Sequence, residues 1–441
     1  MADMRDYLEL RGDIRLCERP FNDVDNLVLS TLAYLDLTGI VGEKGTAGEK
    51  DGAAAASAGG DVTVAEACAE LLRRADGDLS PYVRSLASVD ERFVWALGAS
   101  ARFGTARLVD YVDVRDDERV LQFSAVTVEL DAGVPADAAP VTVAPESYVA
   151  FRGTDTTLVG WRENFILSFA VTQAQREAAA YLERALGRAA TEGRRVRVGG
   201  HSKGGNLAAY AAAVCPEALR GQIERVYSND GPGMDPAVVP VRCADVMGER
   251  YTRILPRYSV VGRTFCDDAP CTIVESSAAR TLQHDPLTWQ VRPGGFVTAD
   301  GFDPECLVVG RAFASWLAKL DPADRELATN ELFDALEAGG ATTFEDVLSS
   351  VGAAQKVISA LGGIDPRAAE MMRNLVGELV GASAAATRDA VAEAMSDAAA
   401  EVAVRAREAL ASLIAPGAAE SAPTTETTPS AKANLSPSNS H

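Results

Sequence analysis

One short stretch concentrates residues whose types and spacing could carry chemistry. Val196-Arg197-Val198-Gly199-Gly200-His201-Ser202-Lys203-Gly204-Gly205-Asn206-Leu207-Ala208-Ala209-Tyr210 reads as strand, sharp turn and helix, with Ser202 at the apex. Gly200-x-Ser202-x-Gly204 is the pattern of a nucleophile elbow. Small neighbours let strand and helix approach without a Cβ clash. The serine is lifted to the helix N-terminus, where backbone N–H groups and the helix dipole favour developing negative charge. A glycine-rich turn with an ordinary serine is the bland alternative. The β-branched run before the motif and the Ala-rich helix after it favour the nucleophile. A serine hydroxyl needs a base, and the chain has 3 histidines. His201 lies inside the elbow and reads as structural. His441 ends a polar tail. That leaves His284, in Thr281-Leu282-Gln283-His284-Asp285-Pro286-Leu287-Thr288-Trp289, downstream of the serine. A lone histidine is usually a satisfied surface or core residue; here it is the sole candidate base for a serine selected on other grounds.

Upstream, Ser147-Tyr148-Val149-Ala150-Phe151 is a short apolar strand that runs into Arg152-Gly153-Thr154-Asp155-Thr156. In elbow enzymes the loop after an early strand supplies one oxyanion donor and the residue after the nucleophile supplies the other. Thr154 and Lys203 occupy those places, each through its backbone N–H. Donors of this kind contribute ~3 kcal/mol apiece to transition-state stabilisation. Taken alone, Arg152-Gly153-Thr154 is no more than a loop turn.

Phe151-Arg152-Gly153-Thr154, then Trp161, then Gly200-His201-Ser202-Lys203-Gly204-Gly205 resembles the class 3 (fungal-type) triacylglycerol lipase family. The nearer likeness is to a bacterial branch of lipase-like proteins. Its further motifs correspond to Gly160-Trp161-Arg162-Glu163-Asn164-Phe165, to Asp230-Gly231-Pro232-Gly233 and to Gln283 through Trp289. The resemblance runs from about Phe21 to about Trp289 and implies an α/β-hydrolase fold acting on acyl esters without metal or cofactor. It also implies that the segment after the Thr154 loop covers the site. Trp161, Phe165, Ile166, Leu167 and Phe169 would then be a lid or acyl-pocket wall, against plain core packing.

Two departures from the family pattern bear on mechanism. A hydrophobic residue usually follows the serine, and here it is Lys203, a cation that could help an oxyanion or bind an acidic head group. The family's acid follows the strand corresponding to Tyr251–Pro256, and there Ser259 stands in its place. A serine cannot stabilise an imidazolium by charge. The preceding strand, Ile223–Ser228, ends in Asn229-Asp230-Gly231-Pro232-Gly233, so Asp230 is the preferred acid, against its use as a turn-forming Asp-Gly pair. Asp285, Asp267 and Asp268 remain alternatives. The rival to a serine esterase is a catalytically silent hydrolase-fold scaffold that acts through its helical C-terminal region.

The bulk properties narrow the setting. The chain has 441 residues and a net charge of −21, which argues against nucleic acid and anionic membranes as partners. Its 7 cysteines are scattered and form no CxxC pair, so reduced thiols in a cytoplasmic protein are expected. The segment from Met1 to Pro20 is charged throughout, and no run of apolar residues is long enough for a membrane span.

The elements that must position the site follow from periodicity and caps. Val24, Leu27, Val28, Leu32 and Leu35 predict a helix after Asn22 or Asp23. Helices are also predicted from Val64 to Ala75 and from about Gln173 to Ala190, and strands at Ala106–Tyr111 and Leu121–Leu130. The hydrolase domain is placed at 1–310, with a flexible insertion at about 41–61. A helical extension is placed at 311–415. There Asp321-Pro322 and Asp365-Pro366 start helices, and Thr342 with Glu345 forms a capping box. An apolar stripe on the last helix could support self-association or pack on the core. Residues 416–441 read as a disordered tail.

Overall fold

The computed structural model describes residues 2–42, 61–85, 87–130, 145–265, 269–338, 342–343, 364–371 and 373–374. Backbone contacts group Met1–Ala386 as one unit and Thr387–His441 as another, and every described residue lies in the first. Eight strands form one sheet in chain order: β1 (Val62–Thr63), β2 (Arg107–Asp116), β3 (Leu121–Leu130), β4 (Glu146–Phe151), β5 (Arg195–His201), β6 (Ile223–Asn229), β7 (Tyr251–Pro256) and β8 (Cys271–Val274). Neighbours from β1 to β4 are antiparallel, and those from β4 to β8 are parallel. The α/β class expected from the sequence is present.

Both faces of the sheet are covered, which explains why β3 is buried along its whole length and alternates poorly by polarity. The pleat still separates its residues. Leu121, Phe123 and Ala125 enter one core, while Val126, Val128 and Leu130 enter the other. The N-terminal helices α1 (Met4–Arg11), α2 (Asp23–Leu32), α3 (Val64–Ala75) and α4 (Glu91–Ala99) cover the second of these faces. After β4 come α5 (Leu158–Ile166) and α6 (Gln173–Glu192), and after β5 come α7 (Lys203–Val214) and the short α8 (Glu217–Arg220). The short α9 (Cys243–Met247) precedes β7. Parallel neighbours need crossovers, and residues of α6, α7 and α9 fill the opposite core.

The cap of α2 matches the sequence expectation. Asn22 accepts from Val24 N and Asp25 N, and Asp25 reaches back to the Asn22 N–H. Strand β2 runs past the expected Tyr111, with a register shift between Val109 and Val112 and Asp110 at φ +56°. That bulge breaks the period that would have marked its second half. The N-terminal helices are locked by a buried ion pair. Arg102 donates to both oxygens of Asp25, at 2.7 and 2.5 Å, and to the carbonyls of Ile14, Arg19 and Pro20.

Helices α10 (Pro304–Ala318) and α11 (Pro322–Ala338) follow β8, the latter starting at the expected proline. Arg325 of α11 donates to Ser168 O at 2.6 Å, Leu317 O at 3.0 Å and Asp235 at 2.7 Å. The described part of the helical region therefore packs on the sheet-bearing unit. Among the described residues no helix is long and apolar enough to cross a membrane. Residues 43–60 of the expected insertion, Asp267, Asp268, Glu345, the tail and most of the last expected helix lie outside the described residues.

Candidate active site

Ser202 sits between β5 and α7 with φ 57° and ψ −129°, a conformation L-residues rarely adopt. The glycines around it are sterically required. A Cβ on Gly204 would stand 2.2 Å from the Phe151 carbonyl oxygen, and one on Gly200 would meet Gly204 C at 2.4 Å. Strand β4, the elbow and α7 are thus held at backbone contact distance. The DGPG loop packs on the same turn. Asn206 of α7 donates to the carbonyls of Pro232 and Gly233 at 3.1 and 2.8 Å.

Ser202, His284 and Asp230, chosen from sequence, are brought together. His284 Nε2 lies 3.0 Å from Ser202 Oγ, and His284 Nδ1 lies 2.6 Å from Asp230 Oδ2. All three follow the carboxyl ends of parallel strands, β5, β8 and β6, where open α/β sheets collect their ligands. Asp230 is buried, with φ +46°. Its other oxygen accepts from Ser259 Oγ at 2.5 Å and from Gly262 N at 3.1 Å. Ser259 thus occupies the slot expected to hold an acid and instead holds the acid that comes from the neighbouring strand. Asp285 turns away from the imidazole: it accepts from Ser88 N and Leu287 N at 3.0 Å each.

His201 makes no hydrogen bond to the serine hydroxyl among the described residues. Its Nε2 faces the His284 carbonyl at 2.8 Å and its Nδ1 faces Tyr34 Oη at 2.8 Å. A carbonyl only accepts, so Nε2 carries the proton and Nδ1 accepts from the tyrosine. Burial, with the charge of His284 adding to it, holds the His201 pKa well below 6.5 and the ring neutral. Gln283 accepts from Tyr258 N through its side chain at 2.9 Å, and its carbonyl accepts from Trp289 Nε1 at 2.8 Å. The Gln283–Trp289 segment is therefore a frame that fixes the His284 backbone next to the loop carrying Ser259.

Sequence reasoning missed the other side of this frame. Asn26 and Ser30 of α2 bond the side chain of Asn229, the residue before Asp230, and Tyr148 Oη of β4. On a helix chosen for its apolar stripe, these polar residues had no local signal to distinguish them from surface positions.

Thr154 follows β4 and is buried; its hydroxyl accepts from Asn164 Nδ2 at 2.8 Å. The loop is fixed by Arg152, which forms two 2.8 Å bonds with Asp113, and by Asp155, which accepts from Thr157 N at 2.9 Å. The backbone N–H groups of Thr154 and Lys203 make no hydrogen bond among the described residues. The Lys203 side chain corrects the sequence expectation of a cation facing the site. Its ammonium is buried on Gln122 O at 2.8 Å, Gln122 Oε1 at 2.7 Å and Glu163 Oε2 at 2.8 Å. Glu163 is fully buried and also accepts from Ala174 N at the start of α6.

Two hollows meet at Ser202. One, about 160 Å³, is walled by Trp161, Phe165, Val261, Phe265, Trp316 and Leu317. The other, about 450 Å³, is a cleft that includes Tyr34, Ser88, Thr281, Leu282, His284 and Asp285. Trp161 lines both, so part of the expected lid segment does border the site; Leu167 is buried, and Ile166 and Phe169 are half-buried outside these walls.

A mostly parallel sheet with covered faces and an elbow serine beyond its central strand defines an α/β-hydrolase fold. Residues 97–334, more than half of the chain, match the family described as Mbeg1-like, and the chain belongs to that family. No curated protein matches the sequence. Among solved structures, M37 lipase aligns with a TM-score of 0.31 and 15% identity, covering 56% of this chain and 70% of that one.

Proposed function

We propose that the chain is a serine hydrolase of carboxylic esters. Ser202 Oγ attacks the ester carbonyl carbon while His284 Nε2 takes its proton. Asp230 keeps the imidazole in the Nδ1–H tautomer and offsets its charge once protonated. The backbone N–H groups of Lys203 and Thr154 hold the oxyanion. His284 then gives its proton to the departing alkoxide, and water, activated by the same imidazole, hydrolyses the acyl-serine. The observation that carries this reading is the continuous Ser202–His284–Asp230 hydrogen-bond chain at 3.0 and 2.6 Å. Net charge and scattered cysteines support a cytoplasmic setting.

The test is intact mass after treatment with a fluorophosphonate, on wild type and Ser202→Ala. Stoichiometric labelling that disappears in the variant supports the nucleophile. A folded wild type that stays unlabelled favours the silent scaffold.

A further inference from the structure

The two hollows at Ser202 differ in size, polarity and in which catalytic group they contain. The leaving alcohol must receive its proton from His284, so it occupies the cleft that His284 lines. The acyl chain then enters the smaller hollow, which His284 does not border.

That smaller hollow is almost wholly apolar. The charged groups at its edge are already engaged: Arg325 with Asp235 and three carbonyls, Lys203 with Glu163. Its volume of about 160 Å³ is close to that of an engineered protein cavity of ~150 Å³ that takes one benzene. Space for about six carbons suits a butanoyl to hexanoyl chain. Trp316 and Leu317, both buried on the α10–α11 hairpin, form part of the hollow's wall. Arg325 clamps that hairpin to the Ser168 carbonyl.

The cleft is the more polar of the two, although most of its wall is apolar. Hydroxyls of Tyr34, Ser85, Ser88, Thr281 and Thr288 line it, and Asp285 is its one carboxylate. No lysine or arginine borders it among the described residues. His201, at its floor, is neutral. A phosphorylated alcohol would meet a carboxylate with no counter-charge, in a chain whose net charge is −21.

We propose that the preferred substrates are short-chain acyl esters, up to about six acyl carbons, of alcohols that bear no anionic group. The proposal rests on the serine-hydrolase reading above and names the acyl length and the alcohol class within it.

The experiment uses the full-length chain and begins with fluorophosphonate labelling of Ser202. Failure there overturns the hydrolase reading itself, and this inference with it. With labelling established, kcat/KM is measured for hexanoyl and dodecanoyl esters of one alcohol. The hexanoyl ester is expected to be faster by about tenfold or more. Leu317→Ala, which enlarges the hollow, is expected to narrow that gap. Equal or faster dodecanoyl turnover by wild type overturns the acyl assignment.

The second comparison sets glycerol hexanoate against glycerol-3-phosphate hexanoate at low ionic strength. The phosphorylated ester is expected to be slower by about tenfold or more. Thr281→Lys, at the exposed rim, is expected to restore part of the loss, and added salt to shrink it. A phosphorylated ester turned over as fast as its neutral counterpart overturns the alcohol assignment.

Discussion

Replacing Asp230 by asparagine should silence the site while leaving the fold intact, and the structure says why. The carboxylate uses Oδ1 to accept from Ser259 Oγ at 2.5 Å and Gly262 N at 3.1 Å, and Oδ2 to face His284 Nδ1 at 2.6 Å. In the amide the oxygen must stay where two donors converge, so the NH2 group falls opposite His284. A donor there turns Nδ1 into an acceptor and moves the ring proton to Nε2, where it points at Ser202 and cannot take the hydroxyl proton. Loss of the correct tautomer costs about 10⁴ in turnover in serine enzymes generally, or about 5.4 kcal/mol in barrier height. Ser259→Ala is a graded control. It removes one hydrogen bond to a charged group, worth about 1.5–3 kcal/mol, so about ten- to a hundredfold in rate. Both are read as kcat/KM on a short acyl ester, with circular dichroism to confirm folding. If Asp230→Asn loses less than about tenfold, the carboxylate does not set the histidine tautomer and the reasoning fails.

The buried Lys203–Glu163 pair makes a second prediction. Glu163→Gln leaves the ammonium without a counter-charge and should destabilise the fold by about 3–5 kcal/mol in urea titration. Replacing both partners by apolar residues should recover part of that loss. Gly204→Ala pushes a methyl to 2.2 Å from the Phe151 carbonyl and should abolish fluorophosphonate labelling while sparing helix content. His201 predicts a pH effect. Its folded-state pKa lies well below 6.5, so the unfolded chain takes up the proton first and stability falls as pH drops below about 6.5. His201→Gln should start from lower stability and show a shallower decline below that pH, by up to about 1.4 kcal/mol per pH unit. Equal slopes for the two proteins would refute it.

Much of this arrangement was legible because it is local. The glycines at 200 and 204, the strand ahead of Ser202, the Asn22 cap and Pro322 at a helix start each announce themselves within a few residues. Strand β8 was too short to show a period. The frame around the site was illegible for another reason: its bonds join distant positions. Tyr34 meets His201 across 167 positions and Asn26 meets Asn229 across 203. Neither end carries a pattern that names the other. Lys203 misled for a related reason: its proximity to Ser202 in sequence placed its charge at the site, and only the sheet shows Gln122 and Glu163 drawing it underneath. Ser259 was ambiguous in the sequence because an absent acid looks the same whether it is lost or replaced from the neighbouring strand.

The contact between Tyr34 and His201 has a practical consequence for dissecting the chain. The family match begins at residue 97, but the groups that brace His201 and Asn229 reside on the first forty residues. A fragment cut at the family boundary would expose the Tyr148 and Tyr227 face of the sheet. It would also strip the buried His201 Nδ1 of its tyrosine partner and leave Asn229 Nδ2 with the Gly200 carbonyl alone. A piece of this protein that keeps these partners must therefore include α2, and deletion series, split-protein fusions and domain grafts should be drawn with it.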